Sequence, residues 1–149
     1  MNFFKIRPNE KHPSILLFIM FYCITTASIT GAAFRDAIFL IRFDKTYLPL
    51  MYVFIALIMA MAIEAYKKFT LEKDQITLIT ISGSIFSISL LLFQLYMPDW
   101  AIPVFYIWME IVTILSIMQF WILAGAVFNS RQAKRLFPLI IAGGSISAI

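Results

Sequence analysis

The chain alternates long apolar runs with short charged connections. No Lys, Arg, Asp or Glu occurs from Ser14 to Phe34, from Thr46 to Ile63, from Gln75 to Pro98 or from Ile111 to Ser130. Each run approaches or exceeds the roughly 17 to 25 residues that a helix needs to cross a bilayer. Runs this long and unbroken exclude a transmembrane barrel, whose strands alternate inward and outward positions over segments of about ten residues. The pattern predicts an all-α, polytopic transmembrane bundle with helices at about 14–41, 46–66, 75–97 and 101–129, preceded by an amino-terminal segment, 1–13. A fifth apolar run, 136–149, starts at Leu136 and is still apolar at Ile149. It reads as the start of another membrane helix, too short to cross alone. A cleaved signal peptide explains the first run poorly, because an apolar core of about 20 residues exceeds the usual 7 to 15 or so and further spans follow.

Composition supports this picture and narrows the chemistry. With 62% hydrophobic and 13% charged residues and a mean hydropathy of +0.90, the chain is too apolar for a soluble globule, which is about half apolar and about a quarter charged. The lipid bilayer is therefore its first partner. A single cysteine, Cys23, and a single histidine, His12, leave no disulfide framework, no zinc cluster and no Cys/His or Ser/His/Asp set. No metal, cofactor or enzymatic activity is expected. The net charge of +4 comes from Lys5, Arg7 and Lys11, from Lys67, Lys68 and Lys73, and from Arg131, Lys134 and Arg135, with fewer cations elsewhere. These three groups fall on one side of the predicted bundle. The turn Met97-Pro98-Asp99-Trp100 on the other side has no Lys or Arg, and Arg35, Arg42 and Lys45 are offset there by Asp36 and Asp44. The positive-inside bias then predicts a cytoplasmic amino terminus, a cytoplasmic loop at Arg131, Lys134 and Arg135, and Asp99 outside. That loop has two readings, a topological determinant and a contact for anionic lipid headgroups. Cations spread so thinly do not form a nucleic-acid surface. Tyr96, Trp100, Tyr106 and Trp108 flank the outer turn and read as an interfacial aromatic belt.

The informative residues are the polar ones inside the apolar runs. Arg35-Asp36 is followed by Ala37-Ile38-Phe39-Leu40-Ile41, so the first helix is expected to continue to about Ile41 with both charges embedded in its outer half. An Arg at a helix centre costs about 2.5 to 3.5 kcal/mol on insertion scales and usually faces a cavity or a partner. Arg35 shares its helix face with Ser28, Gly31 and Ala32, a stripe suited to a cavity or to a close helix contact. The competing reading ends the first helix near Ala33 and lets Arg35 snorkel outward. The fourth helix runs the opposite way and carries Glu110 roughly 15 Å below its outer end, while Arg35 lies roughly 9 Å below Ile41. Arg35 and Glu110 are therefore expected to be neighbours, pairing with each other in one state and binding substrate in another. A static ion pair that only fixes packing is the alternative. Asp36 reads as a packing residue. Gln119 stands half a helical turn out of phase with Glu110 and reads as an interhelical hydrogen bonder near Ser116. Gly143 with Ser147 and Gly144 with Ala148 supply small residues four apart, which admit another helix closely. The glycines are not a phosphate loop, because no Gly-Lys-Ser/Thr follows. Ser145 lacks a base and is no credible nucleophile.

Several of these stretches together resemble a known family. Arg35-Asp36-Ala37-Ile38-Phe39-Leu40, Tyr47-Leu48-Pro49, Phe105-Tyr106-Ile107-Trp108-Met109-Glu110, Gln119-Phe120-Trp121-Ile122-Leu123-Ala124, Arg131 through Leu139 and Ala142-Gly143-Gly144-Ser145 look like the amino-terminal third of the ATP:ADP antiporter family. The Phe-Trp pair and the Ala-Lys-Arg-Leu-Phe-Pro string are its specific part. The resemblance implies a major-facilitator-like fold of two six-helix halves, of which 14–149 would be a partial transporter domain in a bacterial inner membrane. It also implies nucleotide exchange by alternating access, with Arg35 and Glu110 as the substrate-binding basic and acidic residues. The Glu64-Ala65-Tyr66-Lys67-Lys68 loop occupies the place of that superfamily's glycine and Asp-Arg signature and lacks the glycine. Physical chemistry limits the expectation. A nucleotide's phosphate tail carries about three to four charges and needs several donors, so helices beyond these residues would have to complete the site. The expected function is thus part of a transporter for nucleotides or another organic anion. The rival expectation is a non-transporting membrane anchor or regulatory module for a downstream soluble domain.

Overall fold

The computed structural model describes residues 8–70 and 74–147, with side chains at 11–68 and 74–147. Lys5, Arg7, Lys73 and Ala148 lie outside the described residues, as do parts of the amino-terminal segment and the far end of the fifth run. The described chain is helical: α1 (Pro8–Arg42), a 3-10 turn (Lys45–Tyr47), α2 (Leu48–Thr70), α3 (Gln75–Leu95), α4 (Ala101–Val127) and α5 (Ser130–Ile146). Four of the helices are long and apolar enough to cross a membrane: α1 with α2, α3 and α4. The protein is a multi-pass membrane protein on that ground. At 1.5 Å per residue α1 would measure about 50 Å, well beyond the roughly 30 Å hydrocarbon core.

The helix boundaries follow from local chemistry. Helix α1 continues through Arg35 and Asp36 as expected and stops where Asp44 turns the chain, its carboxylate accepting from the Thr46 amide at 2.8 Å and from the Thr46 hydroxyl. Helix α4 starts after Pro98, whose carbonyl accepts from the Ala101 amide at 2.8 Å. Two expectations are corrected. The Glu64–Lys68 stretch is helical, part of α2. The fifth helix begins at Ser130, six residues ahead of the apolar run. The Asn129 amide donates to the Gln132 side chain at 3.0 Å, so a polar cap starts the helix before any apolar residue does. Arg131, Lys134 and Arg135 therefore sit on the first turns of α5 and not in a loop. Pro138 lies inside α5 and leaves the Lys134 carbonyl without its helical partner.

The chain divides into two compact units. One comprises residues 1–30 and 117–149 and so draws on the start of α1, the end of α4, and α5. Its core is Leu17, Phe21, Phe120, Ala124, Phe128, Leu136 and Ile140. The rings lock together: Phe21 lies 4.7 Å from Phe120 and 5.5 Å from Trp121, which meets Phe137 at 5.3 Å. Gly143 and Gly144 let α5 close on α1. A Cβ at 143 would stand 3.0 Å from the Phe18 ring and 3.2 Å from the Phe18 carbonyl oxygen, and one at 144 would stand 2.6 Å from the Phe21 ring. Ser147 adds a polar contact, its hydroxyl 2.9 Å from Thr25 Oγ1.

The other unit is residues 31–116. Phe39 from α1, Met51, Ile55 and Met59 from α2, and Ile102, Tyr106 and Ile111 from α4 form its core. Helix α3 joins through the Trp108 indole, which donates to the Ser89 hydroxyl at 2.7 Å, and through Phe93 against Phe105. Only 6% of the apolar window of α3 is buried, against 39% for α4. Helix α4 is thus the packing centre, and α3 presents nearly its whole circumference to lipid or to other helices.

Candidate functional site

Arg35 lies in the second unit, about two turns before the end of α1. Helix α1 runs antiparallel to the first half of α4, one residue against one: Gly31 faces Met109, Arg35 faces Tyr106 and Glu110, Phe39 packs 4.9 Å from Tyr106, and Arg42 reaches Asp99 at 3.5 Å. Residues 31, 35 and 39 recur every four positions on one face of α1, and residues 102, 106 and 110 do so on α4. Gly31 leaves room for the end of the Met109 side chain, which a Cβ there would meet. Of the Ser28, Gly31 and Ala32 stripe, Gly31 meets α4 through the Met109 side chain.

This register brings the guanidinium against two carboxylates and an aromatic ring. Arg35 is only 7% exposed. Its Nη1 donates to Glu110 Oε2 across the bundle, and its Nε donates to Asp36 Oδ1 at 3.1 Å. The guanidinium carbon stands 4.3 Å above the Tyr106 ring centroid, a cation–π contact of about 0.5 to 2 kcal/mol. Neighbours on a helix project about 100° apart, so the Arg35 side chain must fold back across its own helix to reach Asp36. That geometry leaves the Asp36 side chain 46% exposed, while Glu110, pointing inward from α4, is 30% exposed. A buried guanidinium would be prohibitive alone, and here two carboxylates and a ring replace its water.

Arg35, Asp36 and Glu110, which were separated by 75 positions or adjacent in sequence, are thus brought together. Gln119 is buried, 4% exposed, in the other unit; Ser116, offered as its companion, spends its hydroxyl on the Val112 carbonyl at 2.6 Å. Gly143, Gly144 and Ser147 also belong to that other unit, against Phe18, Phe21 and Thr25. Arg131 and Lys134 are exposed on α5, with Arg135 half-buried.

Tyr106 is the residue that sequence reasoning misplaced. Read as an interfacial anchor, it is 1% exposed and forms the floor under Arg35. The signal was present: Tyr106 precedes Glu110 by four residues and so shares its face. Trp108 is likewise tied to Ser89 inside the bundle, whereas Tyr96 and Trp100 are 72% and 71% exposed. The same unit holds an apolar cavity of about 400 Å³ between α3 and α4, lined by Leu92, Phe93, Tyr96, Trp100 and Val104 among others. Its walls carry no charge.

Comparison of the chain with protein-family models, with curated proteins and with solved structures finds no match in any of the three.

Proposed function

We propose that the chain is part of a membrane transporter that moves a small organic anion by alternating access, with nucleotides the leading substrate class. Arg35 is the cation that would receive the substrate, Glu110 the carboxylate that holds it between cycles, and Tyr106 the platform that fixes its height. The observation that carries this reading is a buried guanidinium, Arg35, held by two half-buried or exposed carboxylates inside an apolar bundle. Ionisable groups within membrane helices are costly and mark solute or proton pathways by default. The sequence resemblance to ATP:ADP antiporters points the same way. A phosphate tail of about three to four charges needs more donors than Arg35 supplies, so further helices would complete the site. On this reading the protein sits in a bacterial inner membrane with its amino terminus in the cytoplasm, as the distribution of Lys and Arg favours.

A second reading has its own support. Arg35 and Glu110 already satisfy one another between α1 and α4, as a clamp in a membrane anchor or regulatory module would. The two readings part on flux. Reconstituted in liposomes as the complete encoded protein, wild type should exchange labelled ATP against ADP, or another organic anion, and Arg35→Ala should lower the rate at least tenfold. Absence of flux with every anion, together with a silent Arg35→Ala in cells, would select the anchor.

A further inference from the structure

The charges around Arg35 do not balance. One guanidinium is flanked by two carboxylates, Asp36 and Glu110, so the cluster carries one net negative charge when all three are ionised. The other charged groups on the described α1–α4 seam, Arg42 and Asp99, pair with each other and leave that sum as it is. Tyr106 lies beneath the guanidinium, Tyr52 of α2 adjoins Tyr106, and α3 has no ionisable residue between Gln75 and Leu95. An anion brought to Arg35 would add a second negative charge in a region of low dielectric, where like charges a few ångströms apart repel strongly. The site as built therefore opposes the ligand that its cation invites.

From this arrangement we infer that anion and proton load together, the proton going to Glu110; the inference rests on the anion-carrying reading above. The Arg35 Nη1 to Glu110 Oε2 hydrogen bond breaks, and an oxygen of the incoming anion accepts from Nη1 in its place. A proton from the aqueous side adds to the released Glu110 carboxylate and makes it a neutral acid. Whatever the ligand's charge, the proton cancels one unit of it, and no carboxylate is left ionised without a partner. Glu110 is the proton carrier, and Asp36 is not, for two structural reasons. Glu110 holds the terminal nitrogen that an entering ligand meets, whereas Asp36 holds the inner Nε from the same helix. Glu110 is also the drier of the two, 30% exposed against 46%, so it is the worse place to leave an unpaired charge.

The test measures binding against pH in the complete protein in lipid nanodiscs, with labelled ADP and labelled sulfate as probes. Sulfate does not titrate between about pH 5 and 9, and each variant corrects for the titration of ADP itself. Coupling to one proton predicts that wild-type affinity falls about tenfold per pH unit at the alkaline end. Glu110→Gln, a permanent mimic of the neutral acid, should bind with no such slope, and Asp36→Asn should keep it. A wild-type protein weakly buffered at fixed pH should also take up about one proton per sulfate bound, which needs no variant to fold. Binding without a slope or without proton uptake overturns the coupling and leaves the anion site standing. A slope that survives Glu110→Gln, or that vanishes only in Asp36→Asn, overturns the assignment to Glu110. Failure of both probes to bind at any pH overturns the coupling and the anion reading together.

Discussion

Helices α1 and α4 each contribute to both compact units, and they are joined by different chemistry in each. In the unit of residues 1–30 and 117–149 the contact is mainly apolar: Phe21, Phe120 and Trp121 interlock, and the glycines of α5 close on Phe18 and Phe21 beside a Ser147–Thr25 hydroxyl contact. In the unit of residues 31–116 the same two helices meet through a guanidinium, two carboxylates and the face of a tyrosine. Lipid is as apolar as a leucine side chain, so the first kind of contact gains only packing and the release of lipid, while the second is held by pairing. An ion pair in low dielectric has two arrangements, made and broken, and can therefore switch. On the transporter reading proposed above, the pair that would switch lies in the second unit.

The sharpest way to break the comparison is to remove one partner of the pair. Glu110→Leu should leave Arg35 without its cross-bundle carboxylate, at a cost of about 2 to 3 kcal/mol once the partial exposure of Glu110 is discounted from the larger values typical of fully buried pairs. Adding Arg35→Leu should recover most of that stability in a detergent unfolding titration. Should the double variant unfold as easily as Glu110→Leu, the pair is not what joins α1 to α4. A middle-sized effect belongs to the ring-packed unit. Gly143→Ala should cost about 1 to 2 kcal/mol by forcing a methyl against the Phe18 ring and carbonyl. Gly83→Ala and Gly125→Ala, whose added methyls meet nothing, should be neutral or stabilising by up to about 1 kcal/mol. Equal unfolding curves for all three would show that α5 does not seat closely on α1.

The smallest effect is at the surface. Asp44, fully exposed, is held below the ordinary carboxylate range, first by the Thr46 hydroxyl and then by the Thr46 amide. A depressed acid stabilises the fold above its unfolded value and loses that contribution as pH falls through the depressed one. Amide exchange at Thr46 should therefore show protection that is constant from neutral pH down through the normal carboxylate range and fades only at more acidic pH. Thr46→Val should move that fading to higher pH and leave the Arg35 cluster untouched.

Much of this was legible before any coordinates. Uninterrupted apolar runs fixed the four spans, because a helix in lipid has to be long and to satisfy its own backbone. Counting rise per residue from each end put Arg35 and Glu110 in the same outer half of the bundle, and the structure joins them. Depth is an axial quantity, and the chain carries it in plain order. Azimuth is not. Which face of α4 turns toward α1 depends on how whole helices pack, and so Tyr106 passed for a belt residue although it lies one turn from Glu110. The beginning of α5 escaped for a different reason, since Asn129 and Gln132 start it by hydrogen bonding while the hydropathy that marks a span is still absent. The division of two continuous helices between a ring-packed unit and a charge-paired one was decided only in three dimensions, where side chains far apart in the sequence compete for the same neighbours.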